Sequence, residues 1–154
     1  MSLKIQTTLG AITLKLRKDA APVSVDYYIK LAQQQFFDNS TFYRSDFVIQ
    51  CGVHGLNRTN PLGNLPVNET HTGVKISNTR GTAAIAHFDV PDNGNSEFFI
   101  NLGTNAHLDD VYGGYCVFAQ VADDDAASYQ VVDAIAAAIK TQKSVAISAI
   151  THVP

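Results

Sequence analysis

The 154-residue chain holds only two cysteines, no excess of basic charge and no long apolar run. Each shortage closes off a class of function. Two thiols are too few for a disulfide framework, and Cys51 and Cys116 fall in separate strand-like runs, so both read as buried free thiols. A net charge of −3 leaves no basic footprint and argues against nucleic acid as a partner. No apolar stretch approaches the ~20 residues of a membrane span, so no membrane partner is expected. The amino terminus runs almost directly into Leu3-Lys4-Ile5-Gln6 with no charged-then-apolar leader, and the expected location is cytoplasmic. Sequons at Asn39, Asn57 and Asn68 count for little without such a leader.

What is present is an ordinary core: 45% of the residues are hydrophobic, enough for a single domain spanning residues 1–154 with no repeat or linker. Leu3 to Gln6 and Ile12 to Leu16 alternate apolar and polar around Leu9-Gly10, which predicts a hairpin with one buried face. Pro22 suits a first helical turn, and Val23, Tyr27, Tyr28 and Leu31 then form an apolar stripe on a helix reaching about Gln34. Residues 36–50 supply strands, and the Gly-, Asn- and Pro-rich span from Val53 to Gly73 reads as a long loop. Short strands are expected at Thr82–Ala86, Glu97–Asn101 and Cys116–Val121. Asp123-Asp124-Asp125 reads as acidic charge at a helix N-terminus rather than a metal cluster. A second helix carries Val132, Ile135, Ala136 and Ile139, and Val145, Ile147 and Ala149 alternate in a closing strand. Many short strands with two helices and no βαβ alternation make a mainly β barrel or sandwich.

Two stretches stand apart: Phe42-Tyr43-Arg44-Ser45-Asp46-Phe47-Val48-Ile49-Gln50 and Asn95-Ser96-Glu97-Phe98-Phe99-Ile100. An Arg among Phe, Val and Ile is costly to bury and asks for a reason. In order and chemistry these stretches resemble the cyclophilins, the peptidyl-prolyl cis/trans isomerases, with their F-H-R, F-[MI]-x-Q-G and G-S-Q-F-F-I segments. Asn78-Thr79-Arg80-Gly81-Thr82, Leu108-Asp109 and Tyr115-Cys116-Val117-Phe118 extend the likeness over nearly the whole chain. The resemblance implies a closed eight-stranded antiparallel barrel with a helix over each end. It implies isomerisation of X–Pro bonds in aid of protein folding, without a cofactor or metal, by a monomer acting on proline-containing peptides and unfolded proteins.

By the same resemblance Arg44 is the catalytic residue. Phe47, Val48, Phe99 and Leu108 form the apolar proline pocket, Gln50 bonds a substrate carbonyl, and Ala86 and His87 offer backbone groups to an extended peptide. Tyr115 stands where members carry His or Tyr. Taken singly, the apolar residues read as core and Arg44 as a strand-end Arg whose stem covers apolar surface.

Four departures bear on the site. Arg44 and Phe47 are three positions apart where the family has five, which demands a tighter turn. Glu97 replaces a Gln and is expected to pair with Arg44, either orienting it or tying it up, with orientation favoured. His107 stands where Trp or Phe is common, at the pocket edge, which implies weak affinity for cyclosporin-type ligands. Cys51 replaces a Gly. The alternative to an enzyme is an inactive module that captures proline-containing segments. The five histidines (54, 71, 87, 107 and 152) lack close ligand spacing, and Ser96 or Cys51 lacks the context of a hydrolase nucleophile.

Overall fold

The computed structural model describes residues 1–154. The first alternating runs form β1 (Ser2–Thr7) and β2 (Gly10–Leu16), joined through Thr8-Leu9. The Thr7 hydroxyl donates to the Gly10 carbonyl at 2.7 Å and accepts from the Leu9 N–H at 3.1 Å, closing the turn. Gly10 has φ +128°, and a Cβ there would lie 2.8 Å from the Val131 side chain, so only glycine fits.

The remaining strands are β3 (Ser40–Ser45), β4 (Val48–Gly52), β5 (Thr82–Ile85), β6 (Phe98–Asn101), β7 (Val117–Gln120) and β8 (Val145–Val153). They close as β1-β2-β7-β5-β6-β4-β3-β8, every pair antiparallel. The eight-stranded antiparallel barrel with two helices expected from the sequence is therefore the observed architecture.

α1 (Pro22–Gln33) packs on β7 and β8, and α2 (Ala126–Gln142) packs chiefly on β2 and β3. The buried face of α1 corrects the expected stripe. Val23 is 45% exposed, and Val25 and Ala32 join Tyr27, Tyr28 and Leu31 instead. The first turn of α1 is held by Glu69, whose buried carboxylate accepts from the Val23 and Ser24 N–H groups and from the Ser24 hydroxyl. Asp125 caps α2 directly, accepting from the Ser128 N–H at 3.1 Å and the Ser128 hydroxyl at 2.6 Å.

β8 also departs from the expected pattern. Its pairing with β1 slips between Gln6 and Thr7, leaving Ser148 extra, so the buried side passes from Val145 and Ile147 to Ile150 rather than Ala149. Inside the barrel Tyr28 stacks on Phe118 at 4.5 Å and meets Phe98 edge-on at 5.5 Å. Cys51 and Cys116 are free and buried; burial pushes the Cys51 thiol well up and Cys116 to about 12.

Alternation then decides where the site lies. Ile49, Ala83, Phe98 and Phe118 face the barrel core, so their neighbours Val48, Ala84, Phe99 and Val117 face the opposite side. Register aligns Gln50 with Phe99, Phe99 with Ala84, and Ala84 with Val117, one outward row across four strands. Of two short 3₁₀ turns, Ala106–Asp109 and Val111–Gly113, the first lays Leu108 onto this row.

Candidate active site

The tighter link between Arg44 and Phe47 is a hairpin in which the chain reverses over Asp46 and Phe47. One Asp46 carboxylate oxygen accepts from the Val48 N–H at 3.2 Å, and the other accepts from Arg44 Nε at 2.8 Å. A single side chain thus closes the turn and aims the guanidinium. The long stretch from Phe42 to Gln50 is therefore two strands, broken where the acidic residue caps the reversal.

A bulge completes the arrangement. Phe42 pairs with Cys51 and Arg44 with Gln50, so Tyr43 is extra. Without it, strict alternation from the inward Phe42 would send Arg44 into the core. With it, Arg44 shares the outward face of Gln50, and its Cζ lies 5.4 Å from the centre of the Phe47 ring.

Arg44 and Gln50 line one cleft together with Phe47, Val48, Ala86, Phe88, Phe99, Leu108 and Tyr115. Val48, Phe99 and Leu108 are buried and make its floor. Phe47, at 42% exposure, is rim rather than floor, facing the exposed His107 ring at 5.7 Å. Tyr115 is a wall: its ring meets Phe99 at 5.8 Å and its hydroxyl donates to the Phe88 carbonyl at 2.8 Å. Burial raises the Tyr115 phenol above its ordinary value, so it stays protonated.

The floor is tied down by a buried polar ladder. Asn101 donates to the Asn78 side-chain oxygen Oδ1 at 3.0 Å, and the Asn105 side chain donates to the backbone carbonyl of Phe47 at 3.1 Å. Asn78 donates to the Tyr115 carbonyl and to Asp109. Burial works to raise the Asp109 carboxyl, but bonds from Ser77 and Asn78 outweigh it and hold the group below the usual range.

One expectation needs correction. Glu97 does not pair with Arg44. Its carboxylate turns toward the exit of β4, accepting from the Tyr43 hydroxyl at 2.9 Å, the His54 N–H at 3.0 Å, the Val53 N–H at 3.1 Å and the Ser96 hydroxyl at 2.7 Å. Two of the donors, Val53 and His54, come from a loop whose sequence carries no periodic signal. A Cβ at Gly52 would lie 2.2 Å from the Glu97 carboxyl carbon, so glycine there makes room for the acid. The expectation for His87 concerns its backbone alone. Its buried ring stacks on Tyr115 at 4.1 Å, with Nε2 bonded to the Gly114 carbonyl at 2.8 Å, so the side chain takes no part in the cleft. Backbone groups at this edge are only partly available, since the Ala86 N–H is bonded to the Glu97 carbonyl at 3.1 Å.

Sequence reasoning missed three residues. Asp46 carried a readable signal, a carboxylate two positions after the singular Arg. Tyr43 did not, because a bulge leaves no mark in the pattern. Phe88 is 76% exposed with φ +55°, a bulky residue in the left-handed region on the lip of the cleft. Its signal was a large apolar residue stranded among His87, Asp89 and Pro91.

The family described as "Cyclophilin type peptidyl-prolyl cis-trans isomerase/CLD" matches residues 2–153. The chain belongs to the cyclophilin-type peptidyl-prolyl cis/trans isomerases. Among cyclophilins it is 35% identical over 125 residues to peptidyl-prolyl cis-trans isomerase B of Escherichia coli (strain K12), covering 76% of this chain and 75% of that protein. A peptidyl-prolyl cis-trans isomerase of Acinetobacter baylyi is 33% identical over 123 residues, 77% of this chain and 64% of that one. In fold it matches a Cryptosporidium parvum cyclophilin crystallised in the presence of the dipeptide Ala-Pro, with TM-score 0.79 and 18% identity over 100% of both chains. The reaction of this cyclophilin is peptidyl-prolyl isomerisation, and no observation favours an inactive module. No helix is long and apolar enough to cross a membrane.

Proposed function

We propose that this cyclophilin turns X–Pro bonds in proline-containing peptides and unfolded chains by holding the proline ring on Val48, Phe99 and Leu108 while Arg44 donates to the prolyl nitrogen. The observation that carries this reading is the shared cleft: Arg44 lines it together with the apolar floor, its guanidinium set beside the Phe47 ring at the rim.

The chemistry asks for little more. Rotation about the bond is opposed by amide resonance, with a barrier of about 18–20 kcal/mol. Twisting returns the lone pair to nitrogen, which then accepts a hydrogen bond that neither planar isomer accepts as well. A donor placed there stabilises the twisted state selectively, and each ~1.4 kcal/mol is tenfold in rate. A guanidinium has five N–H groups. In Arg44 one is held by Asp46 and one by Gln50, so the remainder are free to meet substrate while the group stays fixed. The Gln50 amide oxygen serves Arg44, which leaves a carbonyl of the peptide to the second Gln50 amide proton. Ala86 and Phe88 border the peptide's path, and His107 supplies a polar rim that suits cyclosporin-type macrocycles poorly.

The reading is tested by adding the protein to a short Ala-Pro-containing peptide and measuring cis/trans exchange by NMR. Catalysed exchange with shifts at the amides of Phe47, Val48, Phe99 and Tyr115 is expected. Exchange at the uncatalysed rate, or shifts confined to another face, would overturn it.

A further inference from the structure

We infer that Tyr43 and Glu97 act as a coupled positioning pair that fixes Arg44 through Gln50, so that a carboxylate with no contact to the guanidinium governs its orientation. The inference rests on the reading of Arg44 as the donor to the prolyl amide and adds to it.

The polarity of the chain is forced. Arg44 has only donors, so the atom of Gln50 lying 2.9 Å from Nη1 is the amide oxygen. The Gln50 amide nitrogen therefore faces Tyr43 and donates to its hydroxyl oxygen at 3.0 Å. The single proton of that hydroxyl is then directed to Glu97, 2.9 Å away. Burial and the neighbouring carboxylate both hold the Tyr43 phenol protonated far above its ordinary range, so this donor is permanent. Every link runs one way, from cation to anion.

The far end is anchored to backbone. Glu97 Oε1 accepts from the His54 N–H as well as Tyr43, and Oε2 accepts from the Val53 N–H and the Ser96 hydroxyl. Both oxygens face two donors each. An amide at this position has one oxygen and one nitrogen, so an NH₂ group would be pressed against a backbone N–H, of His54 or of Val53, whichever way it turned. Only a carboxylate satisfies the cradle, and only a group offering both an acceptor and a proton at position 43 connects it to Gln50. The bulge that leaves Tyr43 unpaired is what puts its hydroxyl and Arg44 on one side.

The test is a double-mutant cycle of Tyr43→Phe and Glu97→Gln on an X–Pro peptide, with kcat and KM measured separately. Each single change should lower kcat about three- to tenfold, the loss of one hydrogen bond's worth of orientation, with KM within about twofold. The double variant should be no slower than the slower single. In an Arg44→Ala background, Tyr43→Phe should cost nothing further, which a merely structural hydroxyl would still do. Multiplicative losses, or a wild-type kcat in both singles, would overturn the pairing. If Glu97→Gln fails to fold, Tyr43→Phe, which deletes one oxygen, decides the matter alone. A changed ¹⁵Nε signal of Arg44 in that variant supports the pairing and an unchanged one refutes it. That signal does not depend on turnover, so it separates failure of the pairing from failure of Arg44 as donor.

Discussion

Replacing Arg44 by Ala should leave the barrel standing and remove most of the catalysis. The arginine and Asp46 side chains are 42% and 45% exposed, so their ion pair is a solvated one. Exposed pairs of this kind contribute about 0–1 kcal/mol. Gln50 loses a partner but is only partly buried and can turn to water. A stability loss near or below ~1 kcal/mol follows, a shift of about 2–4 °C in Tm for a chain of this size. The kinetic loss is larger because the lost bond is made chiefly in the twisted state. A charged donor of that kind is worth about 2–4 kcal/mol, or roughly thirty- to a thousandfold in kcat/KM. Arg44→Lys sharpens the test: an ammonium keeps the charge but cannot hold Asp46, Gln50 and substrate in one planar fork, so it should recover less than a tenth of the lost rate. The assay is NMR exchange on an Ala-Pro peptide, alongside a thermal melt. An Arg44→Ala variant that melts normally and turns over within about threefold of wild type would refute the Arg-centred mechanism.

Phe99→Ala removes the buried ring at the centre of the outward row and should cost about 3–5 kcal/mol in a urea melt, with weakened proline-peptide binding at temperatures where the variant still folds. Asp109 has its carboxyl held down in the folded state, so its contribution is present above the unfolded value near pH 4 and is lost as pH falls through the lower folded value. Asp109→Asn should therefore be less stable than wild type at pH 7, with the gap closing below about pH 4; denaturant melts across pH that stay parallel would contradict this. His107→Trp should raise affinity for cyclosporin, since an indole adds flat apolar area and a donor beside Phe47. Calorimetry showing tight binding by the unmodified chain would mean that another side chain fills that role.

The barrel was legible because its strands obey a period of two and its helices carry apolar residues at helical spacing. Arg44 was legible because a cation among Phe, Val and Ile has no business in a core. What escaped was register. The extra residues at Tyr43 and Ser148 shift their strands by one, and no side-chain pattern announces a bulge. Strict alternation from Phe42 would have sent Arg44 inward. Glu97 was misassigned for a related reason: two of its four donors are the backbone N–H groups of Val53 and His54, and a backbone donor looks the same at every residue. Phe88 escaped because an exposed aromatic in a loop is ordinary until its position beside the cleft is known.

A cylinder of hydrogen-bonded strands has no edge from which to fray. Val48 and Phe99, two of the three residues proposed to hold the proline ring, stand on adjacent staves of that cylinder, so this part of the proposed proline surface is tied to the closed wall. Amide protons beneath the floor can then reach solvent only when the whole wall opens, and their exchange measures the stability of the entire molecule. Substrate capture and integrity of the wall become one property. On the proposed reading, a partly melted form of this enzyme lacks the wall against which to hold a proline.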